Sequence, residues 1–427
     1  MRTSLKIFSC LLLFTAFLTA CNWGDDDGGQ KGGGGEPHPI AHGKRTVIVY
    51  MSAENNLSTY AQDDINEMII GMRNVSTDNR LLIYVDRSSI RETPFIACIT
   101  GNTENPVDTL YKYATDFYSS DADKFQEVLS RAIALCPANS YGLVLWGHAN
   151  GWVIEENPTE TAPSQSPRRA YGVDNGQNNL LQQGPYGRWM NIPDMAKALQ
   201  QLGVAWKFIF SDCCNMQSVE VAYELKDVAE YLIGSPAEIT GSGAPYNTVV
   251  KDLFADTDTT MYKAVCDDYN AQLDYVNGHL PISVIKTSEL DQLLAATGNV
   301  LDAVDHYIRQ DNAMKEMIYY FSYDRSDTKE KLMFDMQDVV KVALRNLPDD
   351  YDSWQQAFDR AVVYSRKSSY WHANTIRNSD FTATAERQGV VSMFFPLQQY
   401  ESTGYKYNEL IKQMKWYNAI GWSQLGY

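Results

Sequence analysis

Short runs of apolar, largely β-branched residues at 46–51, 81–85 and 142–146 alternate with stretches whose apolar residues recur three and four positions apart. The runs are too continuous for a sheet with one wet face, and they predict strands buried on both faces. After the first run, Ile65, Met68 and Ile69 share one helical face. Before the third, Phe125, Val128, Leu129, Ala132 and Ile133 do the same, with Asp121 and Asp123 placed to cap that helix. Ile192-Pro-Asp194 opens a helix to Leu202, since proline is tolerated in a first turn. A strand at 206–210, a helix at 218–229 and a strand at 231–234 follow. Such alternation predicts an α/β fold with a mainly parallel central sheet covered on both faces. From 250 to 380 helical spacing dominates, and a last apolar run at 389–395 predicts one more strand.

The N-terminus breaks this pattern. Arg2 and Lys6 flank a short positive segment, residues 7–18 are apolar, and Leu18-Thr-Ala-Cys21 follows. The apolar run is too short to span a membrane, and a small residue directly before cysteine reads as a bacterial lipoprotein export signal with Cys21 lipidated. Acyl chains contribute about 0.8 kcal/mol per buried methylene, enough for several chains to hold the protein at a membrane. Residues 21–43 are rich in Gly and Asp and lack the apolar surface to order themselves, so a flexible tether is expected. The expected organisation is an export signal at 1–20, the tether at 21–43, an α/β domain at 44–250 and a smaller helical and mixed region at 251–427 packed on it. The acidic triplet Asp25-Asp-Asp27 after Cys21 resembles a surface-export signal of bacterial lipoproteins, which implies an outer-membrane or cell-surface location, and it reads equally as a solvated charge run.

The formal net charge of -17 repels phosphate backbones, which argues against nucleic-acid binding and favours basic peptides as partners. Beyond Cys21 the chain has Cys98, Cys136, Cys213, Cys214 and Cys266. An odd number cannot all pair, so at least one thiol is free, and the spacing fits no zinc pattern. A thiol-based hydrolase needs a thiolate, an imidazole to manage protons and backbone N–H groups facing the developing oxyanion. Cys214 follows a strand at a turn into a helix, whose N-terminus is expected to lower the thiol pKa. His148 lies just past another strand, a context that His279, His306 and His372 lack. If the strands are parallel, Cys214 and His148 leave the same carboxyl edge. Taken singly, each has a plain structural reading, a buried thiol and a histidine bonded to its own loop.

Three stretches carry a more specific signal: Leu143-Val-Leu-Trp-Gly-His148-Ala-Asn-Gly-Trp152, then Phe208-Ile-Phe-Ser-Asp-Cys-Cys214-Asn-Met216, then Ser218-Val-Glu-Val-Ala-Tyr-Glu-Leu225. Together with Tyr50-Met-Ser-Ala-Glu-Asn-Asn-Leu57, Gly234-Ser-Pro-Ala-Glu238 and Gly241-Ser-Gly-Ala-Pro-Tyr246, this order resembles the clostripain family of cysteine peptidases. The resemblance implies a caspase-like α/β/α sandwich, a dyad of His148 and Cys214, and oxyanion donors at the N–H groups of Ala149 and Cys214. It also implies that Asp212, two residues before the nucleophile, binds the basic side chain of an Arg or Lys substrate. Ala149 stands where glycine is usual in this clan, and Cys213 where alanine is usual. Self-processing in the polar stretch 153–188 is familiar in the family, and Arg168 and Arg169 offer a cleavage site there. Calcium serves some members, yet no EF-hand spacing occurs here, so no metal is assigned and a calcium requirement stays open. The competing readings are a surface lipoprotein that binds peptides or host proteins without turnover and a glycan-system lipoprotein.

Overall fold

A computed structural model describes residues 40–89, 92–156, 170–176, 187–274, 278–322, 331–368, 370–372, 382–384, 386–402 and 406–427. Cys21, Arg168 and Arg169 lie outside these residues. Gly43–Ala53 (β1), Asn79–Arg87 (β2), Ala138–Trp146 (β5), Trp206–Asp212 (β8) and Ala229–Gly234 (β9) form a five-stranded parallel core in the order β2-β1-β5-β8-β9. Val47 through Met51 of β1 are all fully buried, as are Leu143 to Leu145 of β5 and Phe208 to Phe210 of β8. Apolar side chains on both faces are what makes these runs continuous.

Antiparallel strands extend the sheet on both sides, beyond what the apolar runs indicate. Phe95–Ile99 (β3) and Val107–Lys112 (β4) join at β2, while Ile282–Lys286 and Val362–Arg366 join at β9. Of the two outermost strands β4 is mostly exposed and Val362–Arg366 half-buried, so polar residues dilute their patterns. Residues beyond 250 thus complete the same nine-stranded sheet. The run at 389–395 gives only the two-residue strand Ser392–Met393, in a separate three-stranded antiparallel sheet with Tyr319–Ser322 and Lys331–Asp335. There the buried Asp335 carboxylate accepts from the Tyr320 hydroxyl (2.6 Å) and the Gly389 N–H (2.7 Å), so backbone that a longer strand would pair is committed to a side chain.

The connecting helices agree with the sequence pattern. Ser58–Met72 (α1) joins β1 to β2, and Ala122–Leu135 (α2) precedes β5 with Asp121 accepting from the N–H groups of Asp123 and Lys124. Ile192–Gln201 (α3) joins β5 to β8. Val219–Glu224 (α4) is shorter than the predicted helix at 218–229, because Val228 N–H turns back to Leu225 C=O and β9 begins at Ala229. Right-handed crossovers put α1 on one face and α2, α3 and α4 on the other, since β2 lies on one side of β1 and β5 on the opposite side. Between β1 and β5 the direction of winding therefore reverses, and the carboxyl edge at such a point is open to ligands.

Candidate active site

Parallel pairing of β5 with β8 sets Trp146 opposite Asp212, so both strands end level. His148 and Cys214 each lie two residues beyond that last pair, on strands about 4.8 Å apart. The apolar run at 206–210 places Cys214 four residues past its strand; β8 continues through Ser211 and Asp212 and brings the thiol nearer the edge.

Close backbone packing constrains the loops that leave these strands. Gly147 has φ +140°, and a Cβ there would stand 2.9 Å from the Ser52 carbonyl oxygen, so the turn into His148 requires glycine. Gly151 has φ +60°, and its Cβ would stand 2.5 Å from the Asn215 carbonyl oxygen, so the histidine and cysteine loops touch backbone to backbone. Asn215, itself left-handed at φ 59°, donates from Nδ2 to Asn150 Oδ1 at 3.0 Å and from its N–H to Ala237 C=O at 3.0 Å. On the other side, Tyr171–Asp174 (β6) is held against the histidine loop by Asn150 N–H to Ala170 C=O and Gly172 N–H to His148 C=O, both 2.8 Å. The isolated bridge of Ala149 with Tyr171 leaves the Ala149 N–H out of that pair of bonds.

His148 Nε2 lies 2.7 Å from Asn56 Oδ1. A carbonyl oxygen only accepts, so Nε2 carries the proton and the basic lone pair falls on Nδ1. Asn56 sits in the loop after β1, inside the 50–57 motif, but nothing in the sequence ties it to His148.

All five thiols of the described residues are free, and only Cys214 reaches the surface; Cys98, Cys136, Cys213 and Cys266 are buried. Cys214 Sγ accepts the Ile239 N–H at 3.4 Å. The expected lowering of its pKa does not occur. The N-terminus of α4 lies beyond, capped by Ser218, while burial first and the Glu238 charge second push the thiol up to about 12.

Asp212 is buried, and its Oδ2 accepts from Ala244 N–H (3.0 Å) and the Tyr246 hydroxyl (2.8 Å). Burial pushes it up to about 6 against these bonds. Asp64 of α1 accepts from the Trp146 indole N–H at 2.6 Å and rises to about 8, through burial first and then the Asp212 charge. At neutral pH Asp64 keeps its proton and Asp212 carries the charge. Among the described residues, acidic groups close enough to share a cation occur at Glu54, Asp86 and Asp116, on the β1–β2 side of this rim.

A caspase-like sheet with a thiol and an imidazole at one parallel edge is the architecture of cysteine-type endopeptidases, and this protein is one. The chain belongs to the clostripain family, whose family model (Peptidase_C11) matches residues 49–425. It is similar to a secreted C11 cysteine protease from Bacteroides thetaiotaomicron solved in complex with an irreversible peptide inhibitor: 28% identity, TM-score 0.72, covering 89% of this chain and 100% of that one. An inactive zymogen C11 protease from Parabacteroides distasonis shares the fold at 22% identity and TM-score 0.69, over 89% of this chain and 99% of that one. So does the secreted C11 protease iotapain from Bacteroides thetaiotaomicron, at 21% identity and TM-score 0.71, over 89% and 100%. No curated protein matches the chain.

The backbone contact at Gly151 can be probed directly. Gly151→Ala strains a left-handed residue and drives the Asn215 carbonyl away, separating the two loops. Peptide hydrolysis should fall on the order of a hundredfold, the scale of a displacement of about 1 Å at reacting groups. Activity retained within about twofold of wild type, at unchanged Tm, would show that the loops do not depend on this contact.

Proposed function

We propose that this peptidase cleaves after Arg or Lys by acyl transfer through Cys214. The level ends of β5 and β8 carry the reading, because they give one thiol and one imidazole a common edge. Cys214 is protonated at rest, so its proton passes to His148 as sulfur attacks the carbonyl carbon. The N–H groups of Ala149 and Cys214 receive the oxyanion. His148 then returns the proton to the departing amine, leaving a thioester that water cleaves with the same base. Asn56 orients the imidazole and fixes its tautomer.

For the basic preference, the charge of Asp212 is the source. Its Oδ2 already holds the Ala244 N–H and Tyr246 hydroxyl, so a substrate cation resting on the 241–244 turn feels that charge from behind the backbone. Direct pairing would displace the Tyr246 hydroxyl. Water shields such a buried carboxylate poorly, which strengthens its pull on a guanidinium or ammonium. Self-cleavage after Arg169 is supported by the position of Ala170, the next residue, which is pinned to the histidine loop through Asn150. Lipidation at Cys21 and a membrane-surface location complete the proposal; no described helix is long and apolar enough to cross a membrane.

Hydrolysis of an Arg-linked chromogenic peptide should disappear on Cys214→Ala and drop by about a hundredfold or more on His148→Ala; turnover surviving both substitutions would end the assignment. The KM for that peptide should climb as pH falls through about 6, where Asp212 takes up its proton. In Asp212→Asn this climb should vanish, with Arg and neutral peptides handled alike; an undiminished Arg preference would remove Asp212 from the pocket. Intact-mass spectrometry should find wild-type protein cut after Arg169 and the Cys214→Ala chain whole, and one unbroken mass in both rules out self-processing. A fatty-acid analogue fed to expressing cells should label the wild type and not Cys21→Ala; equal labelling would refute the anchor.

A further inference from the structure

Among the described residues, a few large apolar side chains stay exposed, and Tyr60 is the one that stands at the catalytic edge. Ile70 is at the far end of α1, Val107 on the outermost strand β4, and Leu347 ahead of the helix Pro348–Ala361. Tyr60, 41% exposed, lies in the first turn of α1, which starts just after β1 leaves the sheet and therefore at the carboxyl edge. Its ring has a defined neighbour. A Cβ added to Gly241 would meet Tyr60 Cζ at 3.1 Å, Cε2 at 3.2 Å and Oη at 3.5 Å, so the hydroxyl end of the ring rests on backbone that a side chain at 241 would crowd.

The turn beneath that ring is the one that covers Asp212. Gly243, at φ +55°, would set a Cβ 2.7 Å from Asp212 Oδ2, and Ala244 N–H donates to the same oxygen. Gly243 N–H donates to Thr240 C=O at 3.0 Å and closes the turn, while Ile239, just before it, donates its N–H to Cys214 Sγ. Two residues of chain reach at most about 7 Å, so the contacts of Tyr60 and of Asp212 on this turn are near neighbours. Close packing of α1 on the helix that follows, Tyr246–Leu253, holds the arrangement: a Cβ at Gly71 would stand 2.6 Å from the Tyr246 carbonyl oxygen. Elsewhere the protein's own cations lie over its aromatic rings, Arg131 over Tyr111 and Arg188 over Tyr118. Over Tyr60 there is none among the described residues, and α1 carries Asp63, Asp64 and Glu67 but no Lys or Arg.

We propose that Tyr60 is a specificity-determining residue of the peptidase, its ring forming the outer wall of the pocket for the substrate's basic side chain. The inference rests on the basic preference proposed above. A cation resting on the 241–244 turn has Asp212 behind the backbone and the ring beside it, and an aromatic face attracts a cation out to roughly 6 Å from its centroid. The two attractions differ in kind. A buried charge acts on ammonium and guanidinium alike, whereas a planar guanidinium also stacks on a ring, which a compact, strongly hydrated ammonium does poorly. Tyr60 therefore supplies a discrimination that Asp212 alone lacks, in favour of Arg over Lys.

Matched chromogenic peptides ending in Arg or Lys test this with Tyr60→Leu and Tyr60→Phe, both at an exposed position where little packing is lost. In Tyr60→Leu the KM for the Arg peptide should rise about fivefold, equivalent to about 1 kcal/mol at about 1.4 kcal/mol per tenfold, with kcat within about twofold of wild type. The KM for the Lys peptide should rise by about twofold at most, so the Arg-to-Lys ratio of kcat/KM narrows. Tyr60→Phe keeps the ring and should hold wild-type values. An unchanged Arg-to-Lys ratio in Tyr60→Leu would overturn the proposal; so would a Tyr60→Phe enzyme as impaired as Tyr60→Leu, which would credit the hydroxyl instead. A fall in kcat on both peptides at constant KM would make Tyr60 a support of the catalytic loop and would equally overturn it. Wild-type enzyme that hydrolyses a citrulline peptide as well as the Arg one would sink the basic preference itself, whereas a wild-type preference for Arg that Tyr60→Leu leaves untouched removes only the wall.

Discussion

The structure depends on a parallel ladder whose two middle strands stop at the same level. Hydrogen bonding of β5 to β8 fixes their relative register, and a shift of one residue would turn every side chain past the edge to the opposite face. Beyond the ladder nothing in the sheet itself keeps the loops together. That task falls to Gly151 against the Asn215 carbonyl, and to the Asn215–Asn150 amide pair, which lock two unpaired chain segments into one surface. Both devices need unusual backbone: a glycine at φ +60° and an asparagine at φ 59°. The local strain of a left-handed asparagine, of order 1 kcal/mol or more, is offset by bonds on both sides of it.

Charge is organised around this edge by burial more than by pairing. Asp64 and Asp212 sit beneath the ends of β5 and β8; burial raises both, and the Asp212 charge adds to the rise of Asp64, so that Asp64 stays neutral. The Cys214 thiol, shielded from water and near Glu238, stays protonated at rest. A thiol held in this state is chemically quiet until a base and a substrate are both in place. On the neighbouring β1–β2 rim the same acidic bias reaches its extreme in Glu54 and Asp86, each with one buried oxygen, Oε2 and Oδ2, that accepts no hydrogen bond.

Much of this was legible in the chain. Fully buried strands leave an unbroken apolar signature, so the central strands and the alternation that makes the sheet parallel could be read from residues 46–51, 81–85, 142–146 and 206–210. The cap at Asp121 was legible because a capping side chain acts within three residues of its position. The edge strands were not, because half-exposed residues need no periodic apolar pattern. The length of α4 escaped for another reason: its buried residues continue past Glu224 into a turn that packs in the same core.

By itself, then, the sequence determined the fold class, the family and the order of His148 and Cys214 along the chain, since each is carried by residues close together in the sequence. Tertiary structure alone decided that Asn56 meets His148 across 92 positions, that Asp212 lies behind a turn instead of open to solvent, and that the thiol is raised where a helix terminus would have lowered it. Each of these depends on distances and water exclusion between segments far apart in the chain, and no local pattern records how deeply a side chain will be buried or what will be folded against it.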